Sequence, residues 1–288
     1  MKCFYHSADT DGHCSGAIIK LRFPECELYP INYGEPFPWE IITNPKERVY
    51  VVDFCLQPFS DMVKLNDMCQ LVWIDHHKSA IEEYLKSNVS IKGLRNMEHA
   101  ACYLVWSFIY GVAQQPPYQV TLLSNYDIWD HTDPLTLPFQ YGIRMYETDP
   151  SKDEGMDTWR AIFYRGVKED SIVASVVNEG STIIKYIERE NRLTCDVCSY
   201  ELEFEGYKCI AINKMLTSSN IFDSAEGDYD IKITFGYRGG KWFVSLYSDK
   251  VDVSEIAKKY GGGGHKGAAG FQLTTTQIVM VLKGDGNR

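Results

Sequence analysis

The sequence predicts an α/β fold in two parts: a parallel sheet covered by helices, then a linking helix and a smaller α/β domain. Three observations carry this reading. Val49–Val52 and Leu71–Ile74 are short apolar runs that end abruptly at Asp53 and Asp75. Such runs, separated by helical segments, are the pattern of parallel strands buried on both faces. From about Lys168 to Arg192 the chain is amphipathic, with Ile172, Val173, Val176, Val177, Ile183, Ile184 and Ile187 on one side. Beyond it the texture changes to strand-like segments with turn residues between them. A length of 288 residues also suits two domains better than one. The expected division is 1–165, a linking helix over 166–194, and 195–288.

The elements follow in order. Cys3–Tyr5 reads as a short strand ending at His6, followed by a turn containing Gly12 and a helix from about Ser15 to Arg22. The stretch His99–Tyr110 is a buried helix, and Val120–Asn125 starts another that ends near Asp127. In the second part, Tyr200–Phe204, Tyr207–Ile212, Ile231–Tyr237 and Trp242–Tyr247 read as strands. Arg238-Gly239-Gly240 is a hairpin turn signal, and Val253–Tyr260 is a short helix. A glycine run, Gly261 to Gly264, then leads into His265 and Ala268-Ala269-Gly270. The last residues, Lys283 to Arg288, read as a loose tail.

Composition narrows the function. No apolar run approaches the ~18 residues of a membrane span. The stretch MKCFYHSADTD lacks the apolar core of a secretion signal, so a soluble, cytoplasmic protein is expected. Nine cysteines, an odd number without regular spacing, do not read as a disulfide framework. Cys195-x-x-Cys198 has no second pair to complete a zinc site. Net charge is −10, and no basic run offers a face to long nucleic acid. Either the substrate is small, or metal ions supply the positive charge that meets its phosphates.

The chemistry-bearing residues sit at strand ends. In open α/β sheets ligands bind beyond the carboxyl ends of the strands, so groups far apart in sequence converge there. His6, Asp9 and Asp11 lie within six residues; a polar turn with Asp11 or Ser15 as helix cap would use the same residues. Asp53 follows one apolar run, and Asp75-His76-His77 follows the next. Asp127 lies in a segment where Asp130 and His131 compete with it as ligands. Mixed carboxylate and imidazole donors suit manganese, with magnesium, iron or cobalt as alternatives. Two such ions a few ångströms apart polarise phosphoryl oxygens and lower the pKa of bound water.

In this order, His6-x-x-Asp9-x-Asp11-Gly12, Asp53, Asp75-His76-His77 and Asp127 resemble the four motifs of the DHH phosphoesterases. The glycine-rich stretch ending in Gly262-Gly263-Gly264-His265-x-x-Ala268-Ala269-Gly270 is similar to the substrate-binding domain associated with that family. Its members include exonucleases, oligoribonucleases, cyclic-dinucleotide phosphodiesterases and family II pyrophosphatases. The resemblance implies a pair of divalent ions, manganese foremost. His6, Asp9 and Asp53 would hold one ion, and Asp11, Asp53, His76 and Asp127 the other, with Asp53 bridging. His77 would meet the scissile phosphate, and Asp75 would orient the histidines. Gly262, Gly263 and Gly264 would let backbone N–H groups approach a phosphate, with His265 adding a side-chain contact. Some relatives that cut dinucleotides carry an arginine where this chain reads Ser245-Leu246-Tyr247-Ser248.

The implied activity is cleavage of phosphodiesters in dinucleotides or short oligonucleotides, releasing nucleoside 5′-monophosphates. The alternatives are a 3′-phosphoadenosine 5′-phosphate phosphatase, a cyclic-dinucleotide phosphodiesterase, and a nucleotide-binding regulator without turnover. No long duplex and no membrane is expected as partner, and a homodimer is compatible with the pattern.

Overall fold

The computed structural model describes residues 1–164 and 172–281. They fall into two compact units, Met1–Ile184 and Lys185–Arg288. The boundary falls inside one long helix. The expected start of that helix, from Lys168 to Ser171, and the expected tail from Lys283 lie outside the described residues.

Unit 1 is built on a four-stranded parallel sheet. Strand β1 (Lys2–His6) leads to helix α1 (Thr10–Arg22), then β2 (Glu27–Ile31), β3 (Arg48–Val52), α2 (Ser60–Met68) and β4 (Gln70–Ile74). The strand order is β2-β1-β3-β4, parallel throughout. The apolar runs read from sequence are β3 and β4; β2, interrupted by Pro30 and half exposed, carries no such run. Residues 91–96 add a further parallel segment beside β4. There Trp73 N–H donates to Lys92 O at 2.8 Å and Asp75 N–H to Leu94 O at 3.2 Å.

Period-two alternation divides the sheet residues between two cores. Cys3, Tyr5, Tyr50, Val52, Val72 and Ile74 face one side with Ile18 of α1. The same core takes in α4 (Ala101–Tyr110), α5 (Tyr118–Asp127), α6 (Thr136–Ile143) and α7 (Asp153–Tyr164). Phe4, Val49, Val51, Leu71 and Trp73 face the other side, with Met62 and Leu65 of α2 and Ala80 of α3 (Lys78–Lys86). Because α1 and α2 cover opposite faces, the crevice between β1 and β3 is the topological switch point, where ligands are expected in open sheets.

Helix α1 begins at Thr10, five residues earlier than the sequence suggests, and its cap is Asp9 rather than Asp11 or Ser15. Asp9 Oδ1 accepts from Gly12 N–H at 3.0 Å. Gly12 is what permits this early start: a Cβ there would lie 1.9 Å from the carbonyl oxygen of His6. Without that close approach the helix could not begin so near the end of β1.

Helix α8 (Ile172–Cys198) runs past the expected end at residue 194 and carries the Cys195-x-x-Cys198 pair on its last turn. Cys195 is buried, Cys198 is exposed, and all nine cysteines are free. Unit 2 is a six-stranded mixed sheet with order β5-β6-β7-β8-β10-β9. Its strands are β5 (Tyr200–Phe204), β6 (Tyr207–Asn213), β7 (Ile231–Arg238), β8 (Lys241–Tyr247), β9 (Gly263–His265) and β10 (Ala268–Leu273). Gly239 and Gly240, both at positive φ, make the tight turn between β7 and β8. One sheet face packs on α9 (Val253–Lys259) and α10 (Thr275–Val281) through Ile231, Ile233, Leu246, Val253, Ile256 and Ile278. The other face uses Ile210 and Ile212 against Cys195, Ile221 and Phe222.

Candidate metal centre

Register places the candidate ligands at one level. Tyr5 pairs with Val52 and Val52 with Ile74, so His6, Asp53 and Asp75 leave their strands side by side at the carboxyl edge. Asp53 takes a left-handed backbone conformation, φ 54°, uncommon for a residue with a side chain. Its N–H still donates to Ile74 O at 3.0 Å.

The side chains converge on His76. Its Nε2 lies 3.2 Å from Asp53 Oδ1, 3.2 Å from Asp127 Oδ2 and 3.8 Å from Asp11 Oδ2. Asp11, His76 and Asp127 can share one cation, as can Asp53, His76 and His77. His6 and Asp9 form a neighbouring pair, Nε2 to Oδ2 at 3.7 Å. Asp127 reaches the cluster from the last turn of α5. Asp130 is half-buried and turned to its own loop, accepting from Thr132 N–H at 3.0 Å, and His131 rests against Tyr126 and Trp129.

Asp75 is committed to holding the histidines. Its Oδ1 accepts from His76 N–H at 2.7 Å and His77 N–H at 3.1 Å, and lies 2.7 Å from His77 Nδ1. With Nδ1 occupied, His77 presents Nε2 outward, half exposed. The hydrogen bond to Asp75 raises the His77 pKa and favours a protonated ring, a donor suited to phosphate oxygen. Burial lowers the pKa of His76 and keeps its lone pair free.

Asp11 has two tasks. Its Oδ2 accepts from Ala101 N–H and its Oδ1 from Cys102 N–H, both at 2.8 Å. These are orphan donors in the first turn of α4. A remaining lone pair of Oδ2 faces His76.

The electrostatics test whether cations fit. Burial, then repulsion from Asp11, Asp9, Asp75 and Asp127, raises the Asp53 carboxyl well above its usual range. Burial, then repulsion from Asp11 and Asp9, raises Asp127 to about 8. Asp11 is raised by burial as well. Asp53 is 1% exposed, and its Oδ1 accepts no hydrogen bond; His6 Nδ1 and Asp75 Oδ2 are also buried without partners among the described residues. Clustered buried carboxylates are costly without positive charge, and divalent ions of the oxygen-and-imidazole-loving class fit this donor set.

Sequence reasoning passed over the residues that brace the site. His13 Nδ1 lies 2.9 Å from Thr148 Oγ1 and its Nε2 3.1 Å from Ser7 O, tying the loop between His6 and Asp9 to the segment after α6. Tyr33 packs on His6, ring centroids 5.6 Å apart. Neither stands in a motif; both act through the fold.

In unit 2, the second half of the glycine run is a strand rather than an open loop. Gly263, Gly264 and His265 form β9, the last strand of its sheet, paired with Gly270, Ala269 and Ala268. Gly264 sits at φ 145°, and a Cβ there would meet Ala269 Cα at 2.5 Å, whereas Gly263 has open space. His265 is exposed. A cavity of about 520 Å³ beside Gly261 and Gly262 is lined by Lys241, Ser245 and Tyr260.

Residues 210–283 match the DHHA1 domain. The chain is 23% identical over 302 residues to uncharacterized protein R106 of Acanthamoeba polyphaga mimivirus, an alignment covering 94% of this chain and 66% of that protein. It therefore spans just under two thirds of that relative. It is 24% identical over 315 residues to the bifunctional oligoribonuclease and PAP phosphatase NrnA of Mycoplasma pneumoniae, covering 97% of this chain and 90% of NrnA. Among solved structures it shares its fold with the pGpG-specific phosphodiesterase PggH of Vibrio cholerae. There the TM-score is 0.55 at 13% identity, over 97% of this chain and 94% of that one.

Proposed function

We propose that the chain, whose residues 210–283 match the DHHA1 domain, is a metal-dependent phosphoesterase of the DHH family that hydrolyses phosphodiesters in dinucleotides and very short oligonucleotides, releasing nucleoside 5′-monophosphates. The observation that carries this is the buried cluster of Asp11, Asp53, His76 and Asp127, in which Asp53 Oδ1 accepts no hydrogen bond among the described residues. The printed activities of NrnA and PggH support the substrate class.

In this reading His6, Asp9 and Asp53 hold one divalent ion. Asp11, Asp53, His76 and Asp127 hold the second, with manganese as first choice. When bound, the ions polarise the phosphoryl group and supply a nucleophile near neutral pH. His77, held by Asp75, donates from Nε2 to a phosphoryl oxygen and stabilises the charge that develops there. Residues 1–165 carry the chemistry, 166–194 link, and 195–288 bind substrate, with Gly262, Gly263, Gly264 and His265 engaging a phosphate. Here the phosphate contact is assigned to the outer edge of β9. The nine free cysteines, eight of them buried, fit a reducing cytoplasm. No helix among the described residues is long and apolar enough to cross a membrane.

A manganese-dependent panel tests the reading: 5′-phosphorylated RNA of two to ten nucleotides, a cyclic dinucleotide, 3′-phosphoadenosine 5′-phosphate and pyrophosphate. Dinucleotides should be cleaved fastest. The name of NrnA favours one second reading, and preferential release of phosphate from 3′-phosphoadenosine 5′-phosphate would establish it instead. Asp53→Ala should lower turnover at least a thousandfold, about 4 kcal/mol of transition-state stabilisation, while the circular dichroism spectrum stays native. Near-normal turnover in that variant would overturn the site.

A further inference from the structure

A second recess opens at the same carboxyl edge of the unit 1 sheet. It is a cavity of about 290 Å³ with Tyr33, Phe37, Trp39 and Phe54 among its walls. Asn32 and Tyr33 follow the last residue of β2, and Phe54 follows Asp53, so the sheet itself sets this recess beside the candidate metal centre. Tyr33 and Phe54 lie 4.5 Å apart, and both rings pack on His6, at 5.6 and 6.1 Å. One layer of aromatic rings thus separates the recess from His6.

The polar groups in the recess are mostly acceptors. Asn32 Oδ1 is buried with no partner among the described residues, a state that costs about 1–3 kcal/mol unless a ligand supplies a donor. Glu35 and Asp61 add carboxylates, which accept only, and Gln57 offers an amide. Glu35 is already turned toward Asn32, whose N–H donates to its Oε2 at 3.0 Å. None of the lining residues is Lys, Arg or His; Lys64 lies over the Trp39 ring, 3.7 Å from its centroid. Aromatic walls suit a planar heterocycle. A wall without cations does not suit a phosphate.

We infer that this recess seats the guanine base of the nucleotide whose phosphate meets His6 and Asp53. The inference rests on the nucleotide reading of the metal centre given above. Guanine presents two neighbouring donors, N1–H and the 2-amino group, to Asn32, Glu35 and Asp61, and its O6 accepts from the Gln57 amide. Adenine and cytosine present one amino donor beside a ring acceptor, and uracil a single N–H between two carbonyls. Each of them would set an acceptor against an acceptor.

The manganese-loaded full chain is assayed with pGpG, pApA, pCpC and pUpU, and with bis(p-nitrophenyl) phosphate, which has no base. The expected result is a kcat/KM for pGpG at least about tenfold above pUpU and pCpC, the discrimination of one bidentate base contact. Asn32→Ala and Asp61→Asn should raise KM for pGpG about tenfold and leave bis(p-nitrophenyl) phosphate unchanged. Equal cleavage of all four dinucleotides, or equal slowing of the baseless ester, would overturn the subsite. A calorimetric titration reads the recess without turnover: guanosine 5′-monophosphate should bind about tenfold tighter than uridine 5′-monophosphate. That preference should vanish in Asp61→Asn; equal binding of the two nucleotides to the wild-type chain overturns the inference. If guanosine 5′-monophosphate binds selectively but no phosphodiester is cleaved, the hydrolytic reading fails and the base subsite stands.

Discussion

Two aspartates in the cluster differ in what else they do. Asp11 satisfies two buried N–H groups of α4, so Asp11→Ala should cost about 1–3 kcal/mol of stability even in metal-free protein. Asp127 accepts no such hydrogen bonds among the described residues, and its carboxyl is raised first by burial and then by repulsion from Asp11 and Asp9. Removing that repulsion in Asp127→Asn should leave metal-free protein as stable as wild type, or more so. Urea unfolding in a chelator reads both, and a loss at Asp127 equal to that at Asp11 would contradict the division. Asp149 gives a pH signature of its own. Burial pushes its carboxyl up, but hydrogen bonds from Tyr5 and Ser151 outweigh this and leave it below the usual range. A depressed carboxyl contributes stability above the unfolded pKa of about 3.9 and loses it as pH falls through the folded value. Asp149→Asn should therefore be less stable than wild type at neutral pH by about 1–2 kcal/mol, with the gap closing in acid. A gap independent of pH would show that the charge contributes nothing. What sequence could reach at this scale was residue type at strand ends: His6, Asp53, Asp75 and His76 are legible because each ends an apolar run or follows it. The capping duty of Asp11 was not, because Ala101 and Cys102 lie some ninety residues away and only packing joins them.

The structure departs most from expectation in the glycine run. Four consecutive glycines carry no hydrophobic pattern, so sequence offers no period from which to read a strand, and a loop was the natural expectation. Pairing with Ala268–Gly270 makes β9 instead, and the last two glycines of the run then have different duties. Gly264 is there for φ and for the close approach to Ala269, so Gly264→Ala should destabilise the hairpin by about 1–3 kcal/mol. Gly263 meets nothing within van der Waals reach. Gly263→Ala should leave thermal stability unchanged yet raise KM severalfold, because the added methyl would stand at the proposed approach of a phosphate to the backbone. Unchanged KM in that variant would move the phosphate contact elsewhere. Strands β5 to β8 were read almost to the residue, since alternation and the Gly239-Gly240 turn leave little freedom. Strand β2 was missed because Pro30 breaks its apolar run and water covers half of it.

At the scale of the whole molecule, the formal charge of −10 is partly a property of one site. Asp9, Asp11, Asp53, Asp75 and Asp127 all lie in unit 1, and the fold holds them close against their mutual repulsion. Unit 2 has its own apolar core and contributes none of these carboxylates. Divalent metal should therefore stabilise the two units unequally. At a concentration a hundred times its Kd, a ligand that binds only the folded form adds about 2.7 kcal/mol. Hydrogen exchange of the intact chain, with and without manganese, resolves where that stabilisation falls. Peptides spanning β1, β3, β4, α4 and α5 should slow markedly on metal addition, by up to about a hundredfold for amides that exchange only through unfolding of unit 1. Peptides from β6 to β8 should exchange at their metal-free rate. The Asp53→Ala variant supplies the control, since the same manganese should then slow neither set. Equal slowing in both units would mean that they unfold as one, and slowing confined to β6–β8 would place the metal ligands in the wrong half of the chain.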